Sequence, residues 1–120
     1  MAHRILLVDD NATNIDVLKS ILKDDYGITA AVNGPMALKI AEKTMPSLIL
    51  LDVMMPGMDG FEVCKRLKEN SATKDIPVIF VTAKDEGDSE QAGLALGAVG
   101  YLTKPVNADE VKACVVDILG

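Results

Sequence analysis

The chain alternates between short apolar segments and longer segments in which apolar residues recur at helical spacing. The short segments are rich in β-branched residues and are nearly continuously apolar. Such continuity is typical of strands that are buried on both faces, as in a parallel sheet covered by helices. The predicted strands are Ile5 to Val8, Ile28 to Val32, Leu48 to Leu51, Ile76 to Val81 and the more weakly apolar Val99 to Leu102.

A helical pattern follows each predicted strand, which gives a βα unit repeated five times. Asn33 to Pro35 are typical of a helix start, and Asn107 forms a capping-box-like pair with Glu110 before the last helix. Glycines weaken the fourth pattern, near Ser89 to Leu96, and we expect that region to be mobile. The pattern therefore predicts an α/β fold.

Length and composition limit the classes of protein to which the chain can belong. With 120 residues, the chain has the usual size of one domain, so we expect residues 1–120 to form a single one. Its formal net charge of -6 opposes direct binding to nucleic acid or to anionic membranes. No apolar run approaches the ~20 residues that span a bilayer, and the first residues lack a signal-peptide pattern. We therefore expect a cytoplasmic protein, without an output domain in this segment.

Polar residues follow the predicted strands. In an open parallel sheet the carboxyl ends of the strands meet at one crevice, so residues placed there are candidates for chemistry. Three carboxylates, a hydroxyl and an ammonium would converge. These residues are Asp9 and Asp10 after the first strand, Asp52 after the third, Thr82 after the fourth and Lys104 after the fifth.

The three aspartates predict a metal site. One such aspartate alone would more simply cap a helix or begin a turn. Three carboxylates brought within ~4 to 6 Å of one another repel, however, and their pKa values rise unless a cation neutralises them. A hard, oxygen-seeking ion such as Mg²⁺, or Mn²⁺ in its place, is the natural partner for this donor set.

A metal with open coordination positions points to phosphoryl transfer, which depends largely on positioning and on charge neutralisation. A carboxylate can then act as the nucleophile and form an acyl phosphate. Lys104 would face one phosphoryl oxygen as a positive charge, and Thr82 would donate a hydrogen bond to another. Lys104 would also balance the acidic pocket before phosphorylation.

Four motifs make the chain similar to the receiver domain of bacterial two-component response regulators. They are LLVDDN at 6–11, LILLDVMMPGMDGFEV at 48–63, PVIFVTA at 77–83 and GAVGYLTKP at 97–105. The resemblance covers essentially the whole chain. It implies a flavodoxin-like, doubly wound (βα)5 fold. With right-handed crossovers, the sheet order would be 2-1-3-4-5, with two helices on one face and three on the other.

The resemblance also implies a role for each matching residue of the acidic pocket. Asp52 matches the phosphoacceptor, which is also a metal ligand, and Asp10 matches the direct metal ligand. Asp9 matches a neighbour that binds the metal through water. Met54 matches the position whose backbone carbonyl completes the protein ligands.

The remaining matches concern the response to phosphorylation. Thr82 and Lys104 match the pair that contacts the phosphoryl group, and Pro105 matches a proline that follows a cis peptide bond. Tyr101 matches an aromatic residue whose ring moves inward when the threonine hydroxyl is drawn toward phosphate, although packing at a strand edge would also explain it. Gly100 departs from many relatives, which have an acidic residue there.

The partners implied by the resemblance are a histidine kinase or a histidine phosphotransfer protein as phosphoryl donor. The surface formed by the predicted fourth helix, fifth strand and fifth helix would be the switched partner face, or the face of a homodimer. The domain would assist its own phosphorylation and dephosphorylation without being an enzyme.

Three alternatives belong to other classes. A phosphatase of the haloacid-dehalogenase type also uses a strand-end aspartate and Mg²⁺, but it has a second acid two residues later, where this chain has Met54. A flavin-binding module needs a Ser/Thr-Gly-rich phosphate loop after the first strand, where Asp9 and Asp10 would repel phosphate. A receiver-like module used only for protein interaction would not need the complete set of site residues.

Overall fold

A parallel sheet of five strands forms the centre of the structure, a computed structural model that describes residues 3–83 and 93–120. The strands are β1 (Arg4–Val8), β2 (Gly27–Ala31), β3 (Leu48–Asp52), β4 (Val78–Ala83) and β5 (Gly100–Lys104). Their order in the sheet is β2-β1-β3-β4-β5, and every neighbouring pair is parallel. The predicted fold class and strand order are therefore confirmed.

Four helices of eight residues or more lie within the described part of the chain. They are α1 (Ala12–Leu22), α2 (Gly34–Thr44), α3 (Gly60–Glu69) and the C-terminal helix (Ala108–Leu119). The helix predicted near Ser89 to Leu96, with its expected mobility, lies largely outside the described residues, so the predicted division of helices between the two faces stays a prediction. None of the described helices has the length and apolar character needed to cross a membrane.

Two apolar clusters hold the described helices against the sheet. One cluster packs α1 and the C-terminal helix against one face, through residues such as Leu18 and Val115. The other packs α2 and α3 against the opposite face, through residues such as Ala41 and Leu67. Successive residues of a strand belong to opposite clusters. Leu6 belongs to the cluster that contacts α2 and α3, whereas the residues on either side of it belong to the cluster that contacts α1 and the C-terminal helix. This double coverage explains the continuous apolarity of the strand sequences.

The strand boundaries differ from the predicted ones where backbone hydrogen bonding changes. β4 begins at Val78, two residues after the predicted Ile76. Pro77 has no backbone N–H to donate to a neighbouring strand, although its carbonyl accepts a hydrogen bond from the N–H of Ile49 at 3.0 Å. Apolarity alone does not detect this difference.

Each described helix begins with a side chain that accepts hydrogen bonds from free backbone N–H groups, as helix starts require. Asn33 and Asn107 cap α2 and the C-terminal helix, so both predicted helix starts are confirmed. The cap residues are Asn11 for α1, Asn33 for α2, Asp59 for α3 and Asn107 for the C-terminal helix.

Replacing Asn107 tests the cap of the C-terminal helix. The Asn107 side chain accepts from the N–H of Asp109 at 2.9 Å and of Glu110 at 3.2 Å. Asn107→Ala removes this acceptor and should lower the free energy of unfolding by about 1 kcal/mol, measured by urea denaturation. Asn107→Ser keeps an acceptor and should retain most of the stability. Equal losses in the two variants would contradict the capping role.

Candidate functional site

Adjacent strands bring the predicted site residues to one edge of the sheet. β1 ends one residue before Asp9, and its neighbour β3 ends at Asp52. On the other side of β3, β4 carries Thr82, and β5 then ends at Lys104. The carboxyl ends of the strands thus place these residues at the crevice that the sequence predicts.

The three aspartates form one cluster at this edge. Each of Asp9, Asp10 and Asp52 offers a carboxylate oxygen, and these oxygens all lie within 4.8 Å of one another. The side chains of Asp9 and Asp52 are buried, whereas Asp10 is exposed. The cluster therefore combines two buried carboxylates with one that is open to solvent. Oxygen donors at this spacing fit a hard divalent cation such as Mg²⁺.

Lys104 joins the two buried carboxylates. Its Nζ donates a hydrogen bond to Oδ2 of Asp9 at 3.0 Å and to Oδ1 of Asp52 at 3.1 Å. The other carboxylate oxygen of Asp9 accepts a hydrogen bond from the backbone N–H of Asn11 at 2.9 Å. Buried charges are tolerated when they are paired and hydrogen-bonded, and the ammonium group provides this pairing for both carboxylates.

The pKa of Asp52 is raised above its ordinary value of 3.8. Burial is the main cause, since it disfavours the charged carboxylate. The hydrogen bond and the positive charge of Lys104 oppose this rise, while the negative charges of Asp9 and Asp10 add to it. The net effect is a carboxylate that is harder to ionise than a free one and whose ionisation a nearby cation would favour.

The pKa of Lys104 is also raised, from its ordinary value of 10.5. Burial alone lowers this pKa, but the hydrogen bonds to Asp9 and Asp52 and the negative charges of these two residues outweigh burial. The raised pKa further favours the protonated form of a group that is already charged at neutral pH. Lys104 is therefore a fixed positive charge in the site.

Thr82 and Tyr101 lie on adjacent strands, behind the carboxylates. The side chain of Thr82 is fully buried on β4. Tyr101 is half-buried on β5, pairs in register with Phe80, and packs against the cluster that contains Phe80. Phe80 and Thr82 are two residues apart on one strand, so both side chains point to the same face of the sheet. The two predicted switch residues are therefore close in the fold.

The other two predicted site residues lie in the connecting loops. Met54 follows β3, two residues after Asp52, and its side chain is 64% exposed. The peptide bond between Lys104 and Pro105 is cis, as the resemblance implies.

Two residues that the sequence pattern does not single out also contact the site. Asn11 fixes a carboxylate oxygen of Asp9 through its backbone N–H. Gly60, the first residue of α3, donates its N–H to the carbonyl of Val53 at 2.8 Å and lies against the backbone of Asp52. A glycine directly after the helix cap Asp59 is a sequence signal of such a close approach, although it is not specific.

Comparison with known proteins shows which family the chain resembles. A sequence profile described as the response regulator receiver domain matches residues 5–116. The response regulator PleD of Caulobacter vibrioides is 46% identical over 108 residues, which are 89% of this chain and 24% of PleD. Histidine kinase P4 of Formosa agariphila is 41% identical over 115 residues, which are 96% of this chain and 8% of the kinase. The chain thus spans only a minor part of these relatives.

The crystal structure of a putative response regulator from Chloroflexus aurantiacus resembles the fold over nearly its whole length. The TM-score is 0.95 at 34% sequence identity, with 99% of this chain and 98% of the other covered. At this likeness, the two chains share the same fold.

The raised pKa of Asp52 predicts how its removal changes stability with pH. A carboxyl group with a raised folded-state pKa binds its proton more tightly in the folded protein. Its contribution to stability therefore falls as pH rises from the unfolded-state value of about 3.8 toward the folded-state value. In the presence of a chelator, Asp52→Asn should thus be more stable than the parent at neutral pH, and this advantage should shrink on acidification through that range.

Urea denaturation at a series of pH values measures this difference. Asp24→Asn, which removes an exposed carboxylate outside the cluster, is the control for the loss of one negative charge and should change stability little. A constant difference between Asp52→Asn and the parent across the series would show that burial of the charge is not responsible.

Proposed function

The chain belongs to the receiver domain family of two-component response regulators, and we propose that residues 1–120 form a single receiver domain in which Asp52 accepts the phosphoryl group. One observation carries this proposal: Asp52 is buried at the end of β3, within 4.8 Å of two other carboxylates and in an ion pair with Lys104. The carboxylate of Asp9 has the same two neighbours, so the choice of Asp52 over Asp9 rests on the match of Asp52 to the phosphoacceptor position of the receiver family.

The acidic cluster would hold Mg²⁺ or Mn²⁺. Asp10 and Asp52 would bind the ion directly, Asp9 through a water molecule, and Met54 through its backbone carbonyl. When bound, the ion would supply positive charge that offsets the repulsion between the carboxylates and the oxygens of an incoming phosphoryl group. The exposure of Asp10 favours this assignment, because the ion and the phosphoryl donor must both approach from solvent.

The proposed reaction is a transfer from a phosphohistidine to Asp52. A carboxylate oxygen of Asp52 forms a bond to phosphorus, and the bond between phosphorus and the histidine nitrogen breaks. Its electron pair stays on that nitrogen. Lys104 remains charged and neutralises one phosphoryl oxygen, while the Thr82 hydroxyl donates a hydrogen bond to another. The domain would thus assist its own phosphorylation and dephosphorylation without being an enzyme.

The phosphoryl donor would be a histidine kinase or a histidine phosphotransfer protein. A cleft of about 140 Å³ between α1 and the residues after β5 opens beside Lys104. Its apolar lining includes Val17, which is 43% exposed, together with Pro105 and Val106. A protein surface with an apolar contact could dock there and present a histidine to Asp52. The net charge of -6 favours a protein partner over direct contact with nucleic acid or membrane.

Phosphorylation would act on a surface that includes β5 and the C-terminal helix. A hydrogen bond to the phosphoryl group would draw Thr82 toward the site, and Tyr101 would fill the vacated space. The described part of this surface exposes Val99 and Val116, which suits a protein partner or a second copy of the chain. We propose that such binding takes place in the cytoplasm.

Phosphorylation itself provides the first test. With Mg²⁺ and a small donor such as acetyl phosphate, mass spectrometry should detect the addition of one phosphoryl group, and Asp52→Asn should abolish it. Repeated hydrolysis of a small phosphomonoester by the parent would instead favour the phosphatase alternative. Failure of the parent to accept any phosphoryl group would favour the interaction module.

Metal binding can be measured separately. An ion bound only by the folded state stabilises the protein by mass action, by about 2.7 kcal/mol at 100 times Kd. Mg²⁺ should therefore raise Tm in calorimetry, and Asp10→Asn should lose most of this increase. Without metal, Asp10→Asn could be as stable as the parent or more so, since one repelling charge is gone. An unchanged response to Mg²⁺ in the variant would rule out Asp10 as a ligand.

The switch is tested with beryllofluoride and Mg²⁺, which mimic the phosphoryl group. NMR signals of Thr82, Ala83 and Tyr101 should shift together with those near Asp52, because the mimic is expected to favour the active arrangement. Thr82→Ala should bind the mimic while weakening the shift at Tyr101. Changes confined to the pocket of the parent would show that Tyr101 is not part of the switch.

A further inference from the structure

The first turn of α3 makes an unusually close backbone contact with the end of β3. A Cβ atom added at Gly60 would overlap the carbonyl oxygen of Asp52 and would lie only 2.8 Å from Cα of Val53 and 2.9 Å from the carbonyl carbon of Asp52. These are backbone atoms, which cannot rotate away as a flexible side chain can. The N–H of Gly60 also donates to the carbonyl of Val53 at 2.8 Å.

The start of α3 has little freedom to move away from this contact. The side chain of Asp59 accepts a hydrogen bond from the N–H of Glu62 at 2.9 Å and so fixes the first turn. The ring of Phe61 packs against Phe80, with ring centroids 5.4 Å apart. Further along the helix, Val63, Cys64 and Leu67 are buried in the core cluster. Displacement of α3 would disturb all of these contacts.

The backbone at the end of β3 can shift more easily than the start of α3. Asp52 is the last residue of the strand, and it pairs only with Val81 of β4, since the register with β1 ends at Leu51. Val53 and Met54 follow in the loop. An added Cβ at Gly60 would therefore be accommodated mainly by a shift of the backbone that carries the Asp52 carboxylate and the Met54 carbonyl.

We infer that Gly60 is a positioning residue for the phosphoryl-accepting site. Its missing side chain lets α3 press against the end of β3 and set where the Asp52 carboxylate and the Met54 carbonyl lie. This inference rests on the proposed function of Asp52, but it also concerns the metal site alone. A positional error of about 1 Å at a reacting group can cost on the order of 100-fold in rate.

The test compares Gly60→Ala with the parent in two measurements on the folded protein. The rate of phosphorylation by acetyl phosphate at saturating Mg²⁺ should fall on the order of 100-fold, and calorimetric titration should show weaker Mg²⁺ binding. Backbone amide signals of residues 52–54 should shift without metal. Gly27→Ala is the control for an added methyl group and should keep the parent's phosphorylation rate and Mg²⁺ affinity. A Cβ atom at Gly27 would lie 3.8 Å from its nearest neighbours, and Gly27 begins β2 at the opposite end of the strands from the site.

A loss of stability alone would not explain these results. Leu67→Ala destabilises α3 through its buried face and should keep the parent's phosphorylation rate and Mg²⁺ affinity. The inference is overturned if Gly60→Ala matches the parent in both measurements, or if Leu67→Ala loses as much as Gly60→Ala. If the parent binds Mg²⁺ but accepts no phosphoryl group, the proposed function fails, while Mg²⁺ affinity still decides the role of Gly60.

A second pair of variants keeps the inference testable if Gly60→Ala does not fold. Asp59→Ala and Asp59→Ser both remove one negative charge, but only Asp59→Ser keeps an acceptor for the N–H of Glu62. Loss of the cap loosens the first turn that presses on Asp52, so Asp59→Ala should bind Mg²⁺ more weakly than Asp59→Ser. Equal affinities in the two variants would contradict the inference.

Discussion

The repulsion between buried carboxylates is the constraint around which the site is built. Asp9 and Asp52 lie at the ends of neighbouring strands, where burial raises the free energy of their charged forms. Lys104 compensates for both with one ammonium group, which it brings from the far edge of the sheet. The ion pairs therefore join β1, β3 and β5 at the crevice and link the chemistry of Asp52 to the order of the strands.

The same constraint explains why the sheet must be rigid. The carboxylate oxygens and the ammonium group are useful only at contact distances, and the strands carrying them are buried on both faces by continuous apolar sequences. Close packing of such cores leaves side chains few alternative positions. The loops then need to fix only local details, as Asn11 does for Asp9 and Gly60 does for the residues after β3.

The sequence predicted the features that have a one-dimensional pattern. Continuous apolar segments predicted the strands, and Asn33 and Asn107 predicted helix starts. Their position at the ends of predicted strands marked Asp9, Asp52 and Lys104 as candidate site residues. Two features had no such pattern. The exact start of β4 depends on strand pairing, and the helix contact at Gly60 depends on three-dimensional distances between segments. The sequence predicted only that Lys104 balances the charge of the acidic pocket. It did not predict an ion pair with each of two carboxylates, because these partners are 95 and 52 residues away in the chain.

The charge balance of the site supports the proposal that one pocket accepts both a cation and a phosphoryl group. When ionised, the three clustered carboxylates and Lys104 leave two net negative charges, which one divalent cation neutralises. In the proposed function, a phosphoryl group on Asp52 would add negative charge beside Lys104. Lys104 would then keep its hydrogen bond to Asp9 while its other hydrogen bond turned from Asp52 to a phosphoryl oxygen. Because this exchange would preserve the pairing of Asp9, phosphorylation would not leave that buried carboxylate unpaired.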